Sequence, residues 1–185
     1  SVSRQAVSKW EMDQALPQLD KIMMICKLFS ITADELLDTT TNDTETKKQK
    51  MSDINKELPR GCRLIDFPES ADDRGALSFA EASVHIPFQI ERVFWIYGVP
   101  EDKVRGNHSH NESAEVVVPV SGSFDMVVDD GKCRKTVHLD SPKRGILIPT
   151  GVWCELRSFA PGTVCVVFAS HPYNAAGYTH DYSQY

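Results

Sequence analysis

From Gly61 onward the chain breaks into short runs rich in β-branched and aromatic residues, and turn signals separate them. The runs are 61–67, 76–82, 90–99, 114–120, 123–128, 134–139, 145–148 and 163–169. Between them stand Asp73-Arg74-Gly75, Ser121-Gly122, Asp129-Asp130-Gly131, Ser141-Pro142 and Ala160-Pro161-Gly162. Such clusters stop a strand and reverse the chain, and Asp130-Gly131 suits a tight hairpin. Many short antiparallel strands at even spacing predict a barrel or a jelly roll. No internal repeat is visible.

Composition divides the chain into three zones: helix over 1–38, a polar linker over 39–57, and the β domain over 58–185. In the first zone Ser3 caps a helix through Ala6, Val7 and Trp10. Pro17 opens a second helix, in which Leu19, Ile22, Met23, Cys26, Leu28 and Phe29 recur at helical spacing. Thr32 precedes a third, with Glu35 at the capping-box position. The linker TTTNDTETKKQKMSDINKE has almost no large apolar groups with which to offset its ordering entropy. Met51 within it reads as an alternative start for a free-standing enzyme, and the leading Ser1 suggests a truncated N-terminus.

A net charge of -6 excludes a global basic field for nucleic acid or an anionic membrane, though not a local basic patch. No apolar run approaches a membrane span and no signal peptide is seen. Five cysteines with no CxxC pair argue against a disulfide framework and for a reducing cytoplasm.

The stretch S-R-Q-A-V-S-K-W-E, then P-x-L, then L-F-x-I-x-x-D-E-L-L resembles the C-terminal part of a Cro/repressor-type helix-turn-helix domain. The resemblance makes Arg4 to Trp10 the recognition helix. It gives Arg4 and Gln5 to base edges and Lys9 to phosphate. The preceding helices of such a domain are missing, and six acids oppose four bases over this segment. DNA is therefore expected as a partner only through a fuller parent protein; the alternative is a vestigial helical remnant.

His108-Ser109-His110 is the chemical centre of the chain. Residues i and i+2 of a strand share a face, so both imidazoles are expected on one side, the barrel interior. Two histidines there suit proton transfer, metal ligation or hydrogen bonding to a ligand. The alternative is a pair of surface histidines at a loop end.

Around that pair lie Asp72-Asp73-Arg74-Gly75, IPFQIERVFWIYGVP, RGNHSH, VSGSFDMVVDDGKCRKTVHL, PKRGILIPTGVW, VCVVFAS and YTHDY. Together they resemble the RmlC-like cupin sugar 3,4-ketoisomerases, the dTDP-4-oxo-6-deoxyglucose 3,4-ketoisomerase or WxcM-like family. The expected fold is therefore mainly β: a cupin jelly-roll barrel behind a short α-helical, partial helix-turn-helix segment. The resemblance implies a homodimer without metal or organic cofactor, acting on a dTDP-linked 4-keto-6-deoxy sugar. The carbonyl moves from C4 to C3 through an enediol. His108 and His110 match the family's acid and base, and Tyr97 a tyrosine on the strand leading into the site. Arg74 and Arg105 match arginines suited to the diphosphate. Glu115 and Trp153 complete the expected substrate site, Trp153 as a wall aromatic able to stack on thymine. Surface ion pairing for the arginines and core packing for Tyr97 are the alternatives.

The sequence departs from that family at Asn111, Glu115, Cys154 and His180. Two of these open other readings. His108, His110, Glu115 and Gly122 follow the spacing of metal-binding cupins, with Cys154 after Pro149 and Gly151 in their second motif. A metal-dependent cupin enzyme using His108, His110, Glu115 and Cys154 is therefore one alternative. A helix-turn-helix regulator with a ligand-sensing cupin is the other.

Overall fold

The computed structural model describes residues 3, 6, 9, 10, 17–29, 32, 33 and 41–184, without the side chains of 41–48 and 184. The chain forms two compact units, Ser1–Ser52 and Asp53–Tyr185.

In the first unit Ser3 Oγ accepts the Ala6 amide at 3.2 Å, as a helix N-cap does. Helix α1, Leu19–Phe29, follows Pro17. Asp20 in its first turn and Lys27 in its last complement the helix dipole. Of its apolar residues only Cys26 is buried. Arg4, Gln5, Val7 and the segment 34–37 with Glu35 lie outside the described residues.

Where polarity predicts a linker that cannot order, Thr41–Lys56 form helix α2. No glycine or proline interrupts 39–57, and its Glu, Lys and Gln are good helix formers. In its last turn Asn55 Oδ1 accepts the Leu64 amide at 2.7 Å.

The second unit holds the strands β1 Arg63–Asp66, β2 Glu69–Asp72, β3 Gly75–Ser78, β4 Arg92–Tyr97, β5 Arg105–His110 and β6 Glu115–Ser121. They continue as β7 Phe124–Asp129, β8 Arg134–Leu139, β9 Arg144–Ile148, β10 Trp153–Arg157, β11 Val164–Ala169 and β12 Tyr178–Thr179. One sheet has the order β1-β9-β6-β11-β4 and the other β12-β5-β10-β7-β8. Strands β2 and β3 form a separate hairpin. The two large sheets share one interior, lined by Phe94, Ile96, Val117, Ile148 and Val167 of the first and by His108, Cys154 and Leu156 of the second. This is the expected cupin jelly roll.

Alternation explains the core. On central strand β6, Glu115 and Val117 face the interior, while Val116 and Val118 pack outward. That outer face is covered by Phe67, Ala80, Ile86, Phe88 and Ile90 from the long β1–β4 connection. Strand β6 is therefore buried on both faces along most of its length. Phe124 and Phe159 stack at 5.5 Å, both fully buried.

Candidate active site

Strand β5 carries the histidines, and a bulge sets their direction. Leu156 of β10 pairs with Arg105, Glu155 with Gly106, and Cys154 with His108, which leaves Asn107 unpaired. Gly106 and Asn107 both take positive φ, 82° and 55°. The extra residue brings Arg105 and His108, three apart, onto one face. That face is the one on which Leu156 and Cys154 line the interior. Gly106 is also required sterically, because a Cβ there would meet the Cys154 carbonyl oxygen at 2.7 Å.

His108 Nε2 lies 3.2 Å from His110 Nε2. His110 Nε2 lies 3.2 Å from Glu115 Oε2, and Arg92 Nη2 lies 3.2 Å from Glu115 Oε1. An ionised carboxylate only accepts, so the network assigns the proton to His110 Nε2 and leaves His108 Nε2 as an acceptor. Burial, then the neighbouring His110 ring, pushes His108 down to about 4, with Glu115 pulling the other way. At neutral pH His108 is uncharged and faces a cavity of about 50 Å³.

The C-terminal segment closes over this pair. Tyr178 on β12 pairs in register with His110. Its ring lies 4.7 Å from that of His110 and 5.0 Å from that of His108. Its hydroxyl accepts from Arg92 Nη1 at 3.3 Å. His180 brings a third imidazole 5.7 Å from His108. Thr179 Oγ1 donates to Asn111 Oδ1 at 3.0 Å, and Tyr182 to buried Asp129 at 2.6 Å. Arg92, Tyr178 and His180 did not emerge from sequence as site residues. The visible signals were that all three lie in motifs carrying the family resemblance, IPFQIERVFWIYGVP and YTHDY, and that His180 departs from the family pattern.

The other expected site residues are placed as follows. Arg105 is exposed at the start of β5, on the histidine face. Arg74 is exposed on the β2–β3 hairpin, ion-paired with Asp72, and does not line the cavity. Glu115, expected to bind substrate, lines the cavity, but both of its oxygens are already engaged, one by Arg92 and the other by His110. Tyr97 does not face the histidines. Strand alternation sends Phe94 and Ile96 inward and leaves Tyr97 exposed on the opposite face. Trp153 is likewise on the wrong face for stacking on a substrate. It is buried beside Glu155, to which its Nε1 donates at 3.0 Å, and its ring meets Tyr182 edge-on at 5.0 Å. Lys9 is helical and exposed.

Among the described residues, His108, His110 and Cys154 bring donor atoms within 4.8 Å of one another. Two imidazoles and a thiolate suit Zn²⁺. The thiol is held protonated, however, since burial and then the Glu115 carboxylate push it far above its ordinary value. Glu115, the fourth donor of the metal reading, is committed to Arg92 and His110.

A jelly-roll interior lined by an uncharged histidine, beside a second histidine and its carboxylate, is the architecture of a cupin enzyme. Residues 60–185 match the family described as FdtA: WxcM-like, C-terminal. The TDP-4-oxo-6-deoxy-alpha-D-glucose-3,4-oxoisomerase of Aneurinibacillus thermoaerophilus is 33% identical over 123 residues, covering 66% of this chain and 88% of that protein. QdtA, a sugar 3,4-ketoisomerase from Thermoanaerobacterium thermosaccharolyticum solved in complex with TDP, is 33% identical with a TM-score of 0.67, covering 69% of this chain and 93% of that one. The chain belongs to the FdtA, WxcM-like C-terminal family, and it is an isomerase. A further 55-residue match, 38% identical, is to the HTH-type transcriptional activator BcrR of Enterococcus faecalis, over 30% of this chain and 27% of that protein. No helix among the described residues is long and apolar enough to cross a membrane.

Proposed function

We infer that the β unit is a 3,4-ketoisomerase that moves the carbonyl of a TDP-linked 4-keto-6-deoxyhexose from C4 to C3. The 3.2 Å approach of His108 Nε2 to His110 Nε2 carries this reading. A proton on the carbon beside a ketone is acidic enough for a neutral imidazole to remove. His108, uncharged and facing the cavity, takes the proton from C3. The electron pair forms an enediolate with its charge on O4, the O3 proton passes to O4, and the C3=O bond forms as a proton returns to C4. His110, its Nε2 set between Glu115 and His108, steadies His108 as that proton passes from C3 to C4. Arg105, on the same face at the mouth, suits the diphosphate. Reaction with TDP-4-keto-6-deoxyglucose, followed by NMR of the sugar, tests it. Carbonyl migration with wild type and its loss in His108→Asn are expected. No migration with the wild type would overturn the assignment.

A homodimer is part of the same reading. Strand β4 ends its sheet and shows an apolar row to solvent: Val93 is 47% exposed, Trp95 63% and Tyr97 67%. Such a row on an open edge invites a second copy, and it gives Tyr97 a place in the interface. Light scattering of wild type and Trp95→Glu checks this, with a dimer and a monomer as the expected masses. Five free cysteines suit a cytoplasmic location.

For the N-terminal unit, the BcrR similarity supports DNA contact through Arg4, Gln5 and Lys9. Gel-shift assays of this protein on its own promoter test this. A shift weakened by Lys9→Ala is expected, and no shift at low salt refutes it.

A further inference from the structure

Ketone migration moves two protons, one on carbon and one on oxygen. The histidine pair accounts for the carbon transfer, from C3 to C4. The second proton leaves the C3 hydroxyl and ends on the C4 oxygen. That step needs a group that donates to one oxygen and accepts from its neighbour without ending charged. Neither histidine is free for it. His108 holds the carbon proton, and the His110 Nε2 proton lies between Glu115 and His108. The Cys154 thiol is a weak donor.

We propose that Tyr178 is the catalytic residue that carries the proton between the two sugar oxygens. The proposal rests on the ketoisomerase reading above. Four observations place the phenol. Tyr178 is the cross-strand neighbour of His110, so the two side chains share a face. Its ring is within 5.0 Å of both histidine rings. Its backbone is fastened where Asn111 N donates to Gly177 O at 2.9 Å. Its hydroxyl is held by Arg92, whose other nitrogen grips Glu115, so one guanidinium ties the phenol to the carboxylate behind His110. Phe94 brings no hydroxyl to the His108 cavity and Tyr97 faces away from it, whereas Tyr178 lines the adjoining pocket together with Arg92 and His110.

The step balances. As His108 takes the C3 proton, the C3–H electron pair becomes the C3=C4 bond and the C4=O π pair moves to O4. The enediolate so formed can return to substrate; when the Tyr178 O–H bond then breaks, O4 gains that proton, giving a neutral enediol and a phenolate beside the Arg92 cation. The phenolate then takes the proton from O3. The C3=O bond forms, and the C3=C4 pair accepts the proton at C4. Tyr178 ends as it began.

Washout separates this role from a structural one. In D₂O, exchange of the C3 hydrogen of recovered substrate requires only the carbon step, whereas product also requires the oxygen transfer. Tyr178→Phe is expected to cut isomerisation by about 10²-fold or more. It should cut C3 exchange far less, so the ratio of exchange to isomerisation rises at least about tenfold. Thermal melting and TDP affinity close to wild type exclude a folding defect. Isomerisation within about threefold of wild type overturns the proposal, as does an equal loss of exchange and isomerisation in a folded variant. If the wild type neither exchanges nor isomerises, the ketoisomerase reading itself has failed, and the two failures are told apart.

Discussion

His110 Nε2 and Glu115 Oε2 lie 3.2 Å apart, and both side chains are buried. The same carboxylate holds Arg92, so a single acid balances a cation and orients an imidazole. Glu115→Gln keeps the shape and removes the charge. His110 Nε2 then loses the carboxylate beside it, and Arg92 loses its charged partner. Breaking a buried pair costs about 3 kcal/mol, and general acid–base catalysis is worth about 10²-fold or more. A kcat drop of about that size is expected together with a lower Tm, measured by steady-state kinetics and calorimetry.

The pH dependence follows from His108. Its value in the folded protein, about 4, lies below the ordinary 6.5 because of burial and then the His110 ring. Between these values the unfolded chain binds the proton and the native one does not. Stability from this group is therefore full above about pH 6.5 and is lost as pH falls toward 4. The base also stays active well into acid. The acid limb of kcat/KM is expected below pH 6, and Glu115→Gln should move it lower still, since Glu115 raises the His108 value. A limb at 6.5 in the wild type would falsify the assignment of His108 as the base.

The barrel was legible because turn residues and alternation are local signals, whereas the histidine strand lay outside the β-rich runs and was read only from the His108-x-His110 spacing. The runs ending at Leu139 and Ala169 became β8 and β11 almost unchanged. Strand β10 was missed, because Glu155 and Arg157 interrupt the apolar pattern; both are absorbed by a polar network with Trp153 and Arg134. Tyr97 was misplaced for a different reason. A motif gives a residue type and its spacing, while strand parity decides which face it occupies. Tyr178 lies 68 residues from His110, and only sheet pairing joins them.

Gly106→Ala tests the bulge. The new Cβ would sit 2.7 Å from the Cys154 carbonyl oxygen at a φ of 82°. Strain of about 2 kcal/mol is expected, and relief of it turns His108 away from the interior. Activity should fall further than the loss of stability explains, as measured by kcat alongside chemical denaturation.

Metal should inhibit. His108, His110 and Cys154 can close on Zn²⁺, and doing so takes the base out of the reaction. Micromolar Zn²⁺ is expected to lower kcat, with recovery on EDTA, while EDTA alone leaves the untreated enzyme unchanged. Loss of activity on chelation, restored by a divalent ion, would instead support the metal-dependent alternative.

The last prediction concerns the latch on the C-terminal segment. Tyr182 donates to Asp129 at 2.6 Å, its ring meets Trp153, and the Arg134 guanidinium lies 5.5 Å from the ring centre. Burial pushes Asp129 up, but its bonds from Tyr182, Gly131 and Arg134 outweigh this and keep it ionised. Tyr182 stands four residues after Tyr178 and two after His180, so the latch fixes the stretch of chain that brings both into the site. Tyr182→Phe keeps the ring packing and removes the hydroxyl. The segment loosens and Tyr178 loses its position against His110. Small displacements of an aligned group are costly, so kcat should fall by about tenfold or more. The lesion acts through positioning, so the acid limb set by His108 should not move. A shifted limb would mean that the latch alters the charge environment of the base instead.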